Sequence, residues 1–389
     1  MKSFYLNPLY MFATAFIIAI LLYHLQLSGL YRNGVLSITE VTVITLTGIS
    51  FMIGYFYNFT LKRYIKNSQP KNSSGRNIFY VCSFIIFGII LEVYVSGVLP
   101  ILSIITGASY YYRNFGVATF HVFFLSYVSA CAIIGYERYV IFGGKKNLFP
   151  TFLGFLFSII IVNRASMLMI MLPCFFIYLA HNSKVKSKVL ILVLFLSLIT
   201  IFGYIGDKRM KSSGYTDDKP IFRIAQIDNP ILKNTLPSGF TWFYVYVSSP
   251  YATLVSQESK GRYDKGFISD FINAAILPDF ISKRTDDNIK NKFHLNLITP
   301  ELTVTTGFGY ALTTFGFAGI VLTYIYMIFL IFLFTYVNKN GYMRSIAAIL
   351  STTAALMIFD NMLVFAACVM QLVIISIFSK FRVSKYGLL

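Results

Sequence analysis

Charge is scarce in this chain. Only 12% of its 389 residues are Asp, Glu, Lys or Arg, where a soluble domain carries about a quarter. Acid is the scarcer sign, with 15 acidic residues against 33 basic ones. Cysteine is confined to Cys82, Cys131, Cys174 and Cys368, each inside an apolar run and without ligand spacing. That excludes a disulfide framework and a zinc site. There is no Gly-rich phosphate loop, no nucleophile elbow and no His/Cys cluster, so the common soluble-enzyme signatures are missing and no metal or cofactor is expected.

Apolar residues make up 57% of the chain, with 39 Phe and 28 Tyr, and the mean hydropathy is +0.69. This composition predicts an all-α polytopic membrane protein. Tyrosine suits repeated crossings of the membrane–water interface. A net charge of +18 would suit nucleic acid if it were gathered in one patch. It is instead divided into short clusters between apolar runs, which points to anionic membrane lipids and away from nucleic acid.

A spanning helix needs about 20 apolar residues. Six stretches qualify: Asn7–Leu27, Ser37–Phe59, Ile78–Leu99, Val117–Phe142, Val189–Tyr204 and Ala311–Val337. The first follows Lys2 as a signal peptide would, but lacks a small-residue cleavage pattern and reads as a retained span. Two more stretches, Leu148–His181 and Ser345–Ser379, are too long. As single helices they would measure about 50 Å, against a hydrocarbon core of about 30 Å. Each holds a polar pair near its middle, Asn163-Arg164 and Asp360-Asn361, so each is predicted to break there. The total is about ten spans.

Charge orients them. Lys62, Arg63, Lys66, Lys71, Arg76, Lys145, Lys146, Lys184, Lys186, Lys188, Lys339, Arg344 and the tail residues Lys380, Arg382 and Lys385 all fall at one set of ends, in loops without a single acid. The positive-inside rule makes those loops and both termini cytoplasmic. Residues 1–205 then form a bundle of spans 1–7, residues 206–306 a large periplasmic loop, and residues 307–389 spans 8–10. Glu137-Arg138 reads as a self-neutralising pair near the cytoplasmic face.

The 206–306 segment holds eleven of the fifteen acids and thirteen of the Lys/Arg residues. It has apolar material of its own. Gly239–Gln257 contains the one tryptophan, Trp242. Gly266–Ser282 has helical spacing, with Phe267, Ile268, Phe271, Ile272, Ala275 and Ile276 on one face and Asp270 and Asn273 opposite. A capping subdomain and a lid over an outward-facing site both fit this pattern.

Arg164 falls at an outward turn between two apolar flanks with no acidic neighbour in sequence. A cation there snorkels to the interface or meets an anion, and its fork of N–H donors matches phosphate oxygens. Arg113, after three tyrosines, follows the same logic. Arg223 and Arg284, with Arg209 and Arg262, are the arginine candidates of the long segment. His294, its one histidine, and Glu301 are the candidates for a general base. Glu40 and Glu92 lie at or inside predicted spans, where a carboxylate marks a site. Asp217-Asp218 and Asp286-Asp287 read as solvated turns rather than metal ligands.

After the long segment comes Thr305-Thr306-Gly307-Phe308-Gly309-Tyr310, then Thr314-Phe315-Gly316-Phe317-Ala318-Gly319. Together with the Asn163-Arg164-Ala165-Ser166 turn and the span–loop–span plan, this resembles the bacterial Wzy-type polymerases of O-antigen or capsule repeat units, relatives of the O-antigen ligases. The family's acidic residue between the glycines and the Phe-Gly step is replaced here by Ala311-Leu312-Thr313. The resemblance implies a glycosyltransferase in the bacterial inner membrane, working on its periplasmic face. The donor would be an oligosaccharide on undecaprenyl diphosphate and the acceptor a second lipid-linked unit, with a chain-length regulator as a further partner. Arg164, Arg223, Arg284 and Arg113 would bind the diphosphate, and His294 or Glu301 would serve as base. A flippase of lipid-linked sugars and a membrane O-acyltransferase are the competing functions.

Overall fold

The computed structural model describes residues 3–31, 36–68, 75–106, 115–117, 119–182, 185–259, 267–285 and 292–383. Its regular elements are all helical, with no strand among the described residues. The principal helices are α1 (Pro8–His24), α2 (Ile38–Asn67), α3 (Gly75–Ser96), α4 (Pro100–Ile105), α5 (Phe120–Phe142), α6 (Phe149–Ile160), α7 (Arg164–His181) and α8 (Val185–Ser212). Next come α9 (Pro220–Ile224), α10 (Pro230–Thr235), α11 (Ser238–Ser259), α12 (Ile268–Phe271) and α13 (Asp279–Thr285). The last three are α14 (Gly309–Val337), α15 (Met343–Leu356) and α16 (Ala366–Val383).

Each of the ten apolar segments falls on its own helix. Among the described residues, α2, α3, α5, α7 and α14 are long and apolar enough to cross a membrane, and α1, α15 and most of α16 are shorter apolar helices. Phe51, Met52, Phe56 and Phe59 of α2 and Phe79, Phe87 and Tyr94 of α3 point outward and are exposed, as a lipid-facing surface requires.

Both long stretches break where their polar pairs stand. The first is interrupted between α6 and α7 at 161–163, the second between α15 and α16 at 357–365. Helix bounds differ from hydropathy alone where charged residues continue a helix. The α2 helix runs on to Asn67, and α8 runs on through Asp207, Lys208 and Arg209 to Ser212.

Helix α15 is the centre of the bundle, with twelve of its 14 residues buried. It is rich in Ala, Ser and Thr, which lets α1, α7 and α16 approach closely. Hydroxyl pairs tie α2 to α14: Ser50 to Tyr324 and Tyr57 to Thr335, both at 2.7 Å. Such pairing matters where no water can replace it.

Contacts gather the α1–α2 connection, the C-terminal end of α3, the N-terminal end of α5 and the C-terminal end of α6 with residues 206–306, here the loop end. Ser28 bonds to Ala225 and Tyr31 to Ser248, His121 meets Glu92 and Phe157, and Phe123 meets Phe280. Lys145 and Lys146, just past the C-terminus of α5, mark the opposite, basic end. At that basic end Arg344 is buried rather than in a solvated loop, and Glu137 pairs with it at 3.7 Å. Glu137 also accepts from the Ser345 N–H at 3.1 Å and the Ser345 hydroxyl. It therefore caps the N-terminus of α15, where the helix dipole favours a carboxylate, in addition to standing beside Arg138.

The 206–306 segment packs on the bundle. Helix α11 lies against α8 and α1, burying Trp242, Val245, Tyr251, Leu254 and Val255. Gly203 and Gly239 let the backbones of α8 and α11 touch, since a Cβ on Gly203 would fall 2.2 Å from the Gly239 Cα. The Trp242 indole N–H donates to Asp207 at 2.9 Å. Tyr31 and Ser248 share a hydrogen bond of 2.5 Å, and Glu258 accepts from the Ile38 and Thr39 N–H groups at the start of α2.

The helix expected over 266–282 is divided, with a break at 277–278 before α13. A π-turn at Ile272–Ile276 follows α12. Asn273, within that wider turn, is buried, while Phe267 and Ile268 ahead of it are exposed. This segment packs on α14 beside a break of its own. Phe315 and Gly316 leave the helical conformation there, and Gly316 has φ +63° and ψ −152°, a region open essentially to glycine alone. The Phe-Gly step of the sequence is therefore a helix break.

Candidate functional site

The α6–α7 hairpin presents Arg164. Helix α6 ends with Val162 in the left-handed region at φ +54°, unusual for a β-branched residue, and with the Asn163 N–H bonded to the Ser158 carbonyl at 3.0 Å. Asn163 then caps α7 by accepting from the Ser166 N–H at 3.1 Å. Ser158 and Ser166 close the hairpin with a hydroxyl pair of 2.9 Å. Arg164 is the first residue of α7 and is exposed. Among the described residues it has no hydrogen-bond or ion-pair partner. A cation at the positive end of a helix dipole is unfavourable by itself and becomes favourable when an anion joins it.

Two other predicted residues meet through a third. The Tyr215 hydroxyl donates to Glu301 at 2.5 Å, and Arg223 lies over the Tyr215 ring at 5.9 Å. The Thr299 hydroxyl donates to the other Glu301 oxygen. These two donors hold the Glu301 carboxyl below its ordinary range, while the same bond raises the Tyr215 phenol. Glu301 is therefore a well-satisfied carboxylate and a weakened base. Arg223 pairs with Asp217 at 3.5 Å, and Asp218 with Lys211 at 3.6 Å. The first acidic pair is thus a turn neutralised by basic neighbours. Next to it Arg223, Asp217, Lys219, Gln226, Asp228 and Lys233 line an open cleft of about 360 Å³.

Arg284 is exposed in the last turn of α13, and His294 is exposed beyond it. The structure joins neither to the Glu301 cluster. Arg113, Arg262 and Asp286-Asp287 lie outside the described residues. No group of three or more His, Cys, Asp or Glu side chains that could hold a metal occurs among the described residues.

Glu92, a carboxylate inside a predicted span, is paired with His121. His121 Nδ1 stands 3.0 and 2.9 Å from the two oxygens of Glu92. The carboxylate is fully buried, and the imidazole side chain is 15% exposed. Phe115 and Phe157 flank the ring edge-on, at 5.7 and 6.5 Å between centroids. The only advance signal was a carboxylate inside one span and a histidine at the start of the next. Glu40 is explained differently: it forms a capping box with Ser37 and lies 3.6 Å from His24.

No family model matches the chain, and neither a curated protein nor a solved structure matches it.

Proposed function

We propose that this chain is a bacterial inner-membrane glycosyltransferase. It joins undecaprenyl-diphosphate-linked oligosaccharide units into an O-antigen or capsular polysaccharide on the periplasmic face, through ten spans with both termini cytoplasmic. The observation that carries the reading is Arg164, an exposed guanidinium without a partner among the described residues, at a helix N-terminus and at the loop end of a helical hairpin. A diphosphate leaving group develops charge as the glycosidic bond breaks. A fork of N–H donors already aimed at that charge stabilises it without reorganisation. Residues 206–306 share this end and supply Arg223, Arg284 and the polar cleft for the glycan. The apolar outer faces of the bundle suit the polyprenyl tail.

Deletion of the gene tests this. The expected strain carries lipid capped with single repeat units and has lost the ladder of longer polysaccharide, and a plasmid copy restores the ladder. A ladder unchanged by deletion would sink the proposal. The break in α14 at Gly316 favours a second reading, a flippase, since interrupted helices line transport sites. Loss of a flippase leaves lipid-linked units on the cytoplasmic leaflet; loss of the polymerase leaves them on the outer one.

A further inference from the structure

The three buried glutamates of the bundle differ in what holds them. Glu40 caps its own helix, and Glu137 caps α15 beside Arg344. Glu92 caps nothing. It lies near the C-terminal end of α3, and its partner His121 lies in the first turn of α5. Helix dipoles favour acids at N-termini and cations at C-termini, so both members stand at the less favourable ends. A pair placed for stability alone would have the opposite arrangement.

The geometry is that of an oriented imidazole. Both Glu92 oxygens face Nδ1, which fixes the proton there and leaves Nε2 with a free lone pair in the neutral ring. Among the described residues Nε2 has no hydrogen-bond partner. Location agrees. The N-terminal end of α5 and the C-terminal end of α6 meet at the loop end, where His121 packs on Phe157, seven residues before Arg164. From the long segment, Phe280 of α13 reaches Phe123 at 6.3 Å, bringing Arg284, one turn further on, to the same end of α5. His294 is exposed with no residue to orient it among the described residues, and both oxygens of Glu301 are engaged.

We propose that His121, held by Glu92, is the general base of the transfer, a refinement that rests on the polymerase reading above. Nε2 takes the proton of the acceptor sugar hydroxyl as that oxygen bonds to the anomeric carbon of the donor. The bond from that carbon to the diphosphate oxygen breaks, and the lipid diphosphate leaves with the electron pair. Glu92 stabilises the imidazolium, which then releases its proton to water or to the departing diphosphate. Glu92 is a positioning residue in this step.

The test uses membranes from the deletion strain carrying each variant and its own lipid-linked units, scored for ladder formation and protein abundance. His121→Gly is expected to accumulate and to lose about 10²–10⁴-fold in rate. Added imidazole is expected to restore part of the rate, while thiazole, similar in shape but scarcely basic, is not. Glu92→Gln is expected to lose less than His121→Gly. Should His121→Gly fail to accumulate, His121→Gln, which still donates to Glu92, replaces it and is expected to be abundant and inactive. An abundant His121 variant that builds full-length polymer would overturn the base, as would equal rescue by both azoles. If the wild-type gene itself builds no ladder, the polymerase reading has failed instead.

Discussion

The turn between α6 and α7 is open, and the turn between α15 and α16 is closed. Both interrupt apolar stretches of similar length, both contain an asparagine beside a charged residue, and both lie at the loop end. At the first, Asn163 caps the next helix and Arg164 is exposed. At the second, Asn361 is buried and donates to the Ala275 carbonyl of the π-turn at 2.8 Å. The Met357 carbonyl accepts from Gly307 at 2.7 Å, and the Val364 carbonyl accepts from Asp279 at 2.7 Å. One polar pair leaves an exposed tip, while the other serves as the seat on which the long segment docks. A polar residue in an apolar run therefore signals a break but not a role. The role depends on whether another part of the chain arrives to satisfy it.

Substitutions can break this comparison. The largest expected effect is at the open turn. Arg164→Ala should lower polymerisation by about 10²–10³-fold, the usual loss for a donor aimed at developing charge, with unchanged abundance. Arg164→Lys, which keeps charge without the fork, should fall between. Full-length polymer from an abundant Arg164→Ala protein would leave Arg164 as a snorkelling anchor only.

At the closed turn the effect should appear in stability instead. Asn361→Ala leaves the buried Ala275 carbonyl without its donor, which costs about 1–3 kcal/mol and lowers the melting temperature of the purified protein in detergent. A melting temperature equal to wild type would mean that the docking seat does not need this bond. Asn163→Ala should cost less, about 1 kcal/mol, the ordinary value of a helix cap. If it destabilises as much as Asn361→Ala, the open turn is as tightly built as the closed one.

The smallest expected effect is none at all. A chelator added to polymerising membranes should leave the rate unchanged, because the open turn offers a cation of its own. Abolition by chelator and rescue by magnesium would move the chemistry toward acidic groups, including Asp360 at the closed turn.

Much of the architecture follows from local composition. The ten apolar segments and both breaks were legible because hydropathy and helix length act locally. Arg164 was legible for the same reason, as a charge without a sequence neighbour to neutralise it. Other features need contacts between distant residues. Glu92 and His121 lie 29 positions apart in sequence, and nothing in either neighbourhood names the other as partner. Tyr215 and Glu301 lie 86 apart, so the occupied state of that carboxylate was invisible. The π-turn at 272–276 also escaped, because it adds a residue that helical spacing does not anticipate.

The sequence by itself determined that this chain is helical and apolar, where its helices break and which ends are basic, since burial of apolar surface and the length of a helix depend on the residues within each segment. Only the tertiary structure decided which partner satisfies each buried polar group. A carboxylate at Glu137 becomes a helix cap and one at Glu92 becomes the holder of a histidine solely because different helices pack against them.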